Sequence, residues 1–256
     1  MGSLFLSVSI TTYGVIAMHE YVTVPIKFSP DSLADFENRF ISALNDERYK
    51  VIVLIGGPTY FSMGMDLTYI STHYDADFVS QFCHILKMVR NSHKPVLAKV
   101  EGNVIAGGLA LLSVVDFILS SDSASFSLPE VTFGITPTIA MSCLLERIRP
   151  HHLKYFVWSS SVISAKQALK WGLIDQINTL ENLDQDIQVI SNKLSRIPKS
   201  AIRESKLLLA EQYSFEESLD LGSHLLVERL NDAQTIEKIR HYLEDIKLFN
   251  DEYADD

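Results

Sequence analysis

Three stretches hold the residues able to do chemistry. "EGNVIAGGLALLSVVD" (Glu101–Asp116) sets Gly107 and Gly108 side by side just ahead of an apolar helix. Such a pair serves either close packing of that helix or the approach of an anion to main-chain N–H groups at its positive end. "TYFSMGMDL" (Thr59–Leu67) places Gly64, Met65 and Asp66 after a second strand, so another loop can bring another amide to the same place. Two amides converging on one oxygen form an oxyanion hole, and removing one such donor costs about 2.7–4 kcal/mol of barrier. "ASFSLPEVTFGITP" (Ala124–Pro137) carries Glu130 between Pro129 and Val131. A carboxyl with apolar neighbours is expected to have its pKa raised by desolvation, which suits it to proton transfer. Each stretch has a plainer reading: packing glycines, a turn glycine, a surface Glu at a turn.

The elements that must position these residues are readable from periodicity. Val51–Ile55 is a continuous β-branched run, as expected of a strand buried on both faces, with the loop Gly56-Gly57-Pro58 behind it. Pro95–Val100, Phe117–Ser120 and Ser125–Ser127 read as further strands, and a helix runs from the glycine pair to about Val115. Ser29 and Pro30 open a helix whose stripe is Leu33, Phe36, Phe40 and Leu44; Asp77–Asn91 repeats the pattern with Phe78, Phe82, Ile85 and Val89. Residues 4–10 and 14–18 suggest an opening hairpin. Strand–helix alternation predicts an α/β core with a mostly parallel sheet over 1–180. From Thr138 onward the pattern is almost wholly helical, Gly172 ends one helix, Ser214 and Glu217 form a candidate capping box, and 181–256 is expected to be a helical C-terminal region.

Composition bounds the rest. A chain of 256 residues, 47% hydrophobic and 21% charged, can bury a sizeable core. A net charge of −10 argues against nucleic acid as partner. Cys83 and Cys143 have no second Cys at redox or metal spacing, which fits free thiols and a cytoplasmic location. No run reaches the length of a membrane span, the apolar start lacks a basic region, and Leu6 stands where a myristoylation motif wants Ser or Thr. His151-His152 reads as a surface pair with no third metal ligand, Lys27 as a solvated lysine, His73 and Tyr74 as an exposed segment, and Asp66 as a helix cap. Tyr242 and Phe249 are expected to pack within the chain, the alternative being cover for a neighbouring site in an oligomer. No phosphate-loop or dinucleotide fingerprint is present, and neither metal nor cofactor is expected.

Taken in order, "VIVLIGGPTYFSMGMDL", "HKPVLAKVEGNVIAGGLALLSVVDFILSSDSASFSLPEVTFGITP" and "ISAKQALKWGLIDQI" resemble the crotonase superfamily, the enoyl-CoA hydratase/isomerase enzymes. The resemblance implies a spiral of β-β-α units, assembly as homotrimers or hexamers in which 181–256 trimerises or covers the site, and acyl thioester substrates on CoA or a carrier-protein phosphopantetheine. By position it implies that the Met65 and Gly107 amides hold the thioester oxygen and that Glu130 moves the proton. Gly64, Asp66, Gly108, Ala110 and Pro137 would then lie against substrate. Ala110 occupies the place of the family's water-activating Glu, and the stretch "YVTVPIKFSPDSLADF" lacks the usual Arg-Pro and Asn-Ala signature for the nucleotide end of CoA. Within the superfamily the pattern looks most like dehydratases of carrier-bound 3-hydroxy-3-methylglutaryl thioesters in polyketide β-branching. A single-glutamate isomerase, a thioester decarboxylase and a non-catalytic binding subunit stay open as alternatives.

Overall fold

A computed structural model describes residues 18–73, 76–210 and 214–252; the expected hairpin and Tyr74 lie outside them, as does the Phe249 side chain. β1 (His19–Thr23) leads into α1 (Pro30–Asn45). Ser29 has extended backbone, so its Oγ accepts from Ser32 N while Ser32 Oγ accepts from Ser29 N. Leu33, Phe36, Phe40 and Ala43 form the buried stripe of α1, with Leu44 half-buried beside it.

Three consecutive units follow, each giving a long strand and then a short one. They are β2 (Val51–Ile55) with β3 (Tyr60–Ser62), β4 (Val96–Val100) with β5 (Asn103–Ile105), and β6 (Phe117–Ser121) with β7 (Ser125–Ser127). The helices between them are α2 (Leu67–His73), α3 (Ala76–Arg90) and α4 (Gly107–Ser113). After β7 come a one-turn 3-10 helix (Glu130–Phe133), α5 (Thr138–Leu144), α6 (Pro150–Ser159), β8 (Ile163–Ser164), α7 (Ala165–Trp171) and β9 (Gln176–Asn178). α8 (Leu180–Leu194), α9 (Lys199–Ala210), α10 (Phe215–Leu230) and α11 (Ala233–Glu252) complete the chain.

The long strands and the short strands separate into two sheets. One is five-stranded, in the order β1-β2-β4-β6-β9 and parallel throughout; the other is four-stranded, in the order β3-β5-β7-β8, with only the last pair antiparallel. Alternation along β2 explains its burial on both faces. Ile52 and Leu54 enter the main core, while Val51 and Val53 meet Leu97, Leu119, Leu183 and Ile187 under α8. The sequence reading picked out three-residue β7 but did not separate β3 and β5, which follow β2 and β4 after short glycine-containing turns and carry little alternation of their own. It also missed β8 and β9 inside the stretch read as helical.

Two capping expectations divide. Gly172 closes α7 at φ 84, donating to Ala168 O and Leu169 O as a left-handed C-terminal residue should. Ser214 precedes α10 but makes no side-chain cap: its ψ of 55 departs from the extended backbone of Ser29, so Oγ is not aimed at the first-turn amides.

Candidate active site

The short-strand sheet delivers two loops to one place. After β3, Ser62 Oγ donates to Pro25 O and accepts from Gly64 N, fixing the start of the first loop. Phe28 then pairs with Met65 as a parallel bridge: Phe28 N donates to Gly64 O, and Asp66 N donates to Phe28 O. That bridge occupies the groups on either side of Met65 N, whose amide has no protein acceptor among the described residues. Asp66 caps α2, accepting from Thr68 N at 3.0 Å.

After β5, the second loop turns on Ala106, at φ 53 and ψ −127. Holding a non-glycine residue in such a region costs about 1–3 kcal/mol. Ala106 N donates to Ser127 O and Leu109 N to Ala106 O, so the turn is tied at both ends, and the amide of Gly107 also has no protein acceptor among the described residues. The two glycines of the pair do different things. A Cβ on Gly108 would lie 2.8 Å from Ser62 O, so Gly108 lets α4 close onto β3. A Cβ on Gly107 would meet only ordinary contacts, 3.4 Å from Gly64 Cα and 3.6 Å from Met65 N. Gly64, at φ +76, lies so near that its own Cβ would stand 2.5 Å from Gly107 N. The Met65 and Gly107 amides are therefore neighbours contributed by separate loops.

Glu130 opens the 3-10 turn after β7. Its carbonyl accepts from Ile135 N at 3.0 Å, which fixes the backbone, while Leu128, Phe133 and Ile135 are buried around it. The side chain is 8% exposed, and Oε2 has no hydrogen-bond partner. Burial pushes the carboxyl up to about 8, against the smaller opposing effect of a hydrogen bond from its own backbone N–H. Glu130, Met65 and Gly107 line one cavity of about 420 Å³, together with Asp66 and Pro137. Its far wall is Leu226 and Leu230 of α10 with Tyr242, Leu243 and Ile246 of α11.

Not every anticipated residue reaches this cavity. Gly64 and Gly108 lie behind the wall as packing positions, and Ala110 is fully buried in the core where α4 meets α5. Lys27 lines the opening, half exposed and 4.0 Å from the Asp66 carboxylate. His73 is exposed and stacks on Tyr69, and His152 stacks on Trp171. Among the described residues no cluster of three His, Cys, Asp or Glu side chains is arranged for a metal ion. The Phe28 bridge and the Ala106 turn escaped the sequence reading. Alanine gives no sign of positive φ, and the bridge joins residues on opposite sides of a strand pair.

Two free amides from separate loops thus share one cavity with a buried carboxyl. A model of the enoyl-CoA hydratase/isomerase family matches residues 27–252. The chain belongs to that family. Membership makes it a hydratase-family enzyme, with CoA thioesters as the family's typical substrates. A carnitinyl-CoA dehydratase of Escherichia coli O157:H7 is 29% identical over 206 residues, covering 76% of this chain and 79% of the relative. The carnitinyl-CoA dehydratase of strain K12 is 31% identical over 159 residues, or 60% of this chain and 61% of that one. Among solved structures, a Bacillus subtilis protein assigned as a polyketide biosynthesis enoyl-CoA hydratase superposes with TM-score 0.82 at 22% identity, covering 89% of this chain and 94% of that one. An enoyl-CoA hydratase from Mycobacterium avium superposes with TM-score 0.78 at 20% identity, covering 90% and 92%. The family member described here has the α/β crotonase fold, with parallel sheets and C-terminal helices.

Proposed function

We propose that the protein is an acyl-thioester dehydratase that works with one carboxyl group. The observation that carries this is the buried Glu130, its Oε2 without a hydrogen-bond partner, sharing a cavity with the adjacent amides of Met65 and Gly107. The thioester oxygen accepts from those two amides. As the Glu130 carboxylate takes the proton on C2, negative charge grows on that oxygen, where fixed donors stabilise it most. The carboxyl then returns its proton to the departing 3-hydroxyl, C2 and C3 become doubly bonded, and water leaves. With Ala110 in the core there is no second acid on α4, so Glu130 serves both steps. The same economy supports a second reading, a 1,3 proton shift in an enoyl thioester.

For the acyl group, the ordered motifs favour a carrier-bound 3-hydroxy-3-methylglutaryl thioester, which adds a second carboxylate. The cavity walls are mainly apolar, and Lys27, partnered by Asp66, is the one Lys or Arg lining them. The residues outside the described ones contain no Lys, Arg or His. A methylglutaryl tail therefore depends on Lys27, whereas an uncharged tail needs no cation. The test is product mass analysis with 3-hydroxybutyryl, 3-hydroxydecanoyl, 3-hydroxy-3-methylglutaryl and 3-decenoyl groups, each on CoA and on a carrier protein. Loss of water from at least one hydroxyacyl thioester, abolished by Glu130→Gln, supports dehydration. Movement of the 3-decenoyl double bond alone favours the isomerase. Turnover that Glu130→Gln leaves intact sinks both readings, and thioester binding without turnover would mark a binding subunit.

The proposal extends to assembly. Residues 181–256 supply the cavity's far wall through α10 and α11, while Leu207 and Leu208 of α9 stand 64% exposed, an apolar face suited to a second copy. Sedimentation is expected to give a trimer or hexamer; a monomer at micromolar concentration removes that part of the proposal.

A further inference from the structure

Elimination of a 3-hydroxyl needs that oxygen held close to the group that protonates it; Ala110 has no polar side-chain atom, and the Ser113 hydroxyl of α4 is committed to Leu109 O away from the cavity. The cavity walls hold few candidates. The Thr138 hydroxyl is committed to Gly222 O at 2.6 Å, the Asp66 carboxylate accepts from Thr68 N, and Lys27 lies at the opening beside Asp66. Thr68 is exposed, and the half-buried Ser127 and Tyr242 are the remaining hydroxyls on the wall.

Tyr242 is held against the Glu130 turn from two points. Its ring lies 4.8 Å from that of Phe133, three residues along the same turn, and the Lys238 chain one helical turn earlier lies over Gly134. The phenol has no hydrogen-bond partner among the described residues, and burial, with a further contribution from the Glu130 carboxylate, raises its pKa and keeps the proton on the oxygen.

We propose that Tyr242 is a substrate-positioning residue, its phenol donating a hydrogen bond to the 3-hydroxyl oxygen so that the leaving group lies beside the Glu130 carboxyl. Tyr242 keeps its own proton throughout. Glu130 takes the C2 proton and delivers one to the departing hydroxyl, so the products are the enoyl thioester and water. The assignment rests on the dehydratase reading.

Two rates measured on one preparation test it. One is dehydration of whichever hydroxyacyl thioester of the above set wild type turns over fastest. The other is exchange of the C2 protons of butyryl-CoA in D2O, which uses Glu130 and the amides but offers no 3-hydroxyl. Tyr242→Phe keeps the ring on Phe133 and is expected to lower the ratio of dehydration to exchange roughly 10- to 100-fold. A merely structural role lowers both rates together and overturns the assignment, as does an unchanged ratio. So does a Ser127→Ala variant that lowers the ratio while Tyr242→Phe does not. If Glu130→Gln abolishes both rates and Tyr242→Phe neither, only this inference falls. If wild type dehydrates none of the thioesters, the dehydratase reading falls and takes this one with it.

Discussion

Glu130 carries the sharpest consequences at the scale of single residues. A base whose carboxyl sits at about 8 is mostly protonated at neutral pH, so kcat/KM for dehydration is expected to climb with pH and level off above about 8. A pH–rate profile that is already flat at about pH 6 would show that the Glu130 carboxyl is not raised to about 8, and Glu130→Gln then decides whether it is the base. Stability runs the other way. The folded carboxyl titrates above its ordinary 4.5, so ionising it opposes folding, and stability falls as pH rises from about 4.5 to about 8. Glu130→Gln is therefore expected to be more stable than wild type at about pH 9, by on the order of 1 kcal/mol or more, with the gap closing near about pH 4. Denaturant melts at the two pH values check this. The glycine pair gives a second contrast. Gly107→Ala meets only contacts of 3.4 Å and longer, so the fold is expected to survive while the methyl enters the space before Met65 N. Turnover should fall roughly 100-fold or more. Gly108→Ala meets Ser62 O at 2.8 Å and is expected to destabilise by about 1–3 kcal/mol instead.

Among elements, the crossing of α5 and α10 decides how the C-terminal helices are held. Thr138 Oγ1 donates to Gly222 O, Ser142 Oγ donates to Ser218 O, and a Cβ on Gly222 would lie 2.9 Å from Thr138 O. Gly222→Ala forces the helices apart and is expected to cost about 1–3 kcal/mol, read as a drop in the midpoint of thermal unfolding. The long strands and the amphipathic helices were legible because α1 and α3 repeat their apolar residues at helical spacing and β2 is apolar throughout. The splitting of strands between two sheets was not, since it depends on where β3 and β5 pair rather than on their composition. Ser214 shows the same limit from another side. A Ser followed three residues later by Glu states a capacity for capping, and the dihedral that realises it is set by how α10 docks.

For the molecule as a whole, the candidate site is a seam. The ordered motifs singled out Met65, Gly107 and Glu130, which the fold brings to one cavity because residues tied to a strand or turn travel with it. They did not reveal the far wall, since Leu226, Leu230, Leu243 and Ile246 read as ordinary apolar positions of amphipathic helices. A ligand that fills the cavity touches both sides of the seam and should stabilise the whole chain, by about 2.7 kcal/mol at a hundred times its dissociation constant. Butyryl-CoA is expected to raise the melting temperature and slow amide exchange in α11. Protection confined to the two amide-bearing loops would show that α11 does not enclose the ligand.

Because Leu226 through Ile246 complete a chamber begun by Lys27 and Met65, a chain still being translated holds the Glu130 carboxyl well before it has an enclosed room for it. Such a nascent polypeptide presents an apolar, half-built hollow to the surrounding water. The hollow becomes an enclosed chamber only once α11 has been made and has docked.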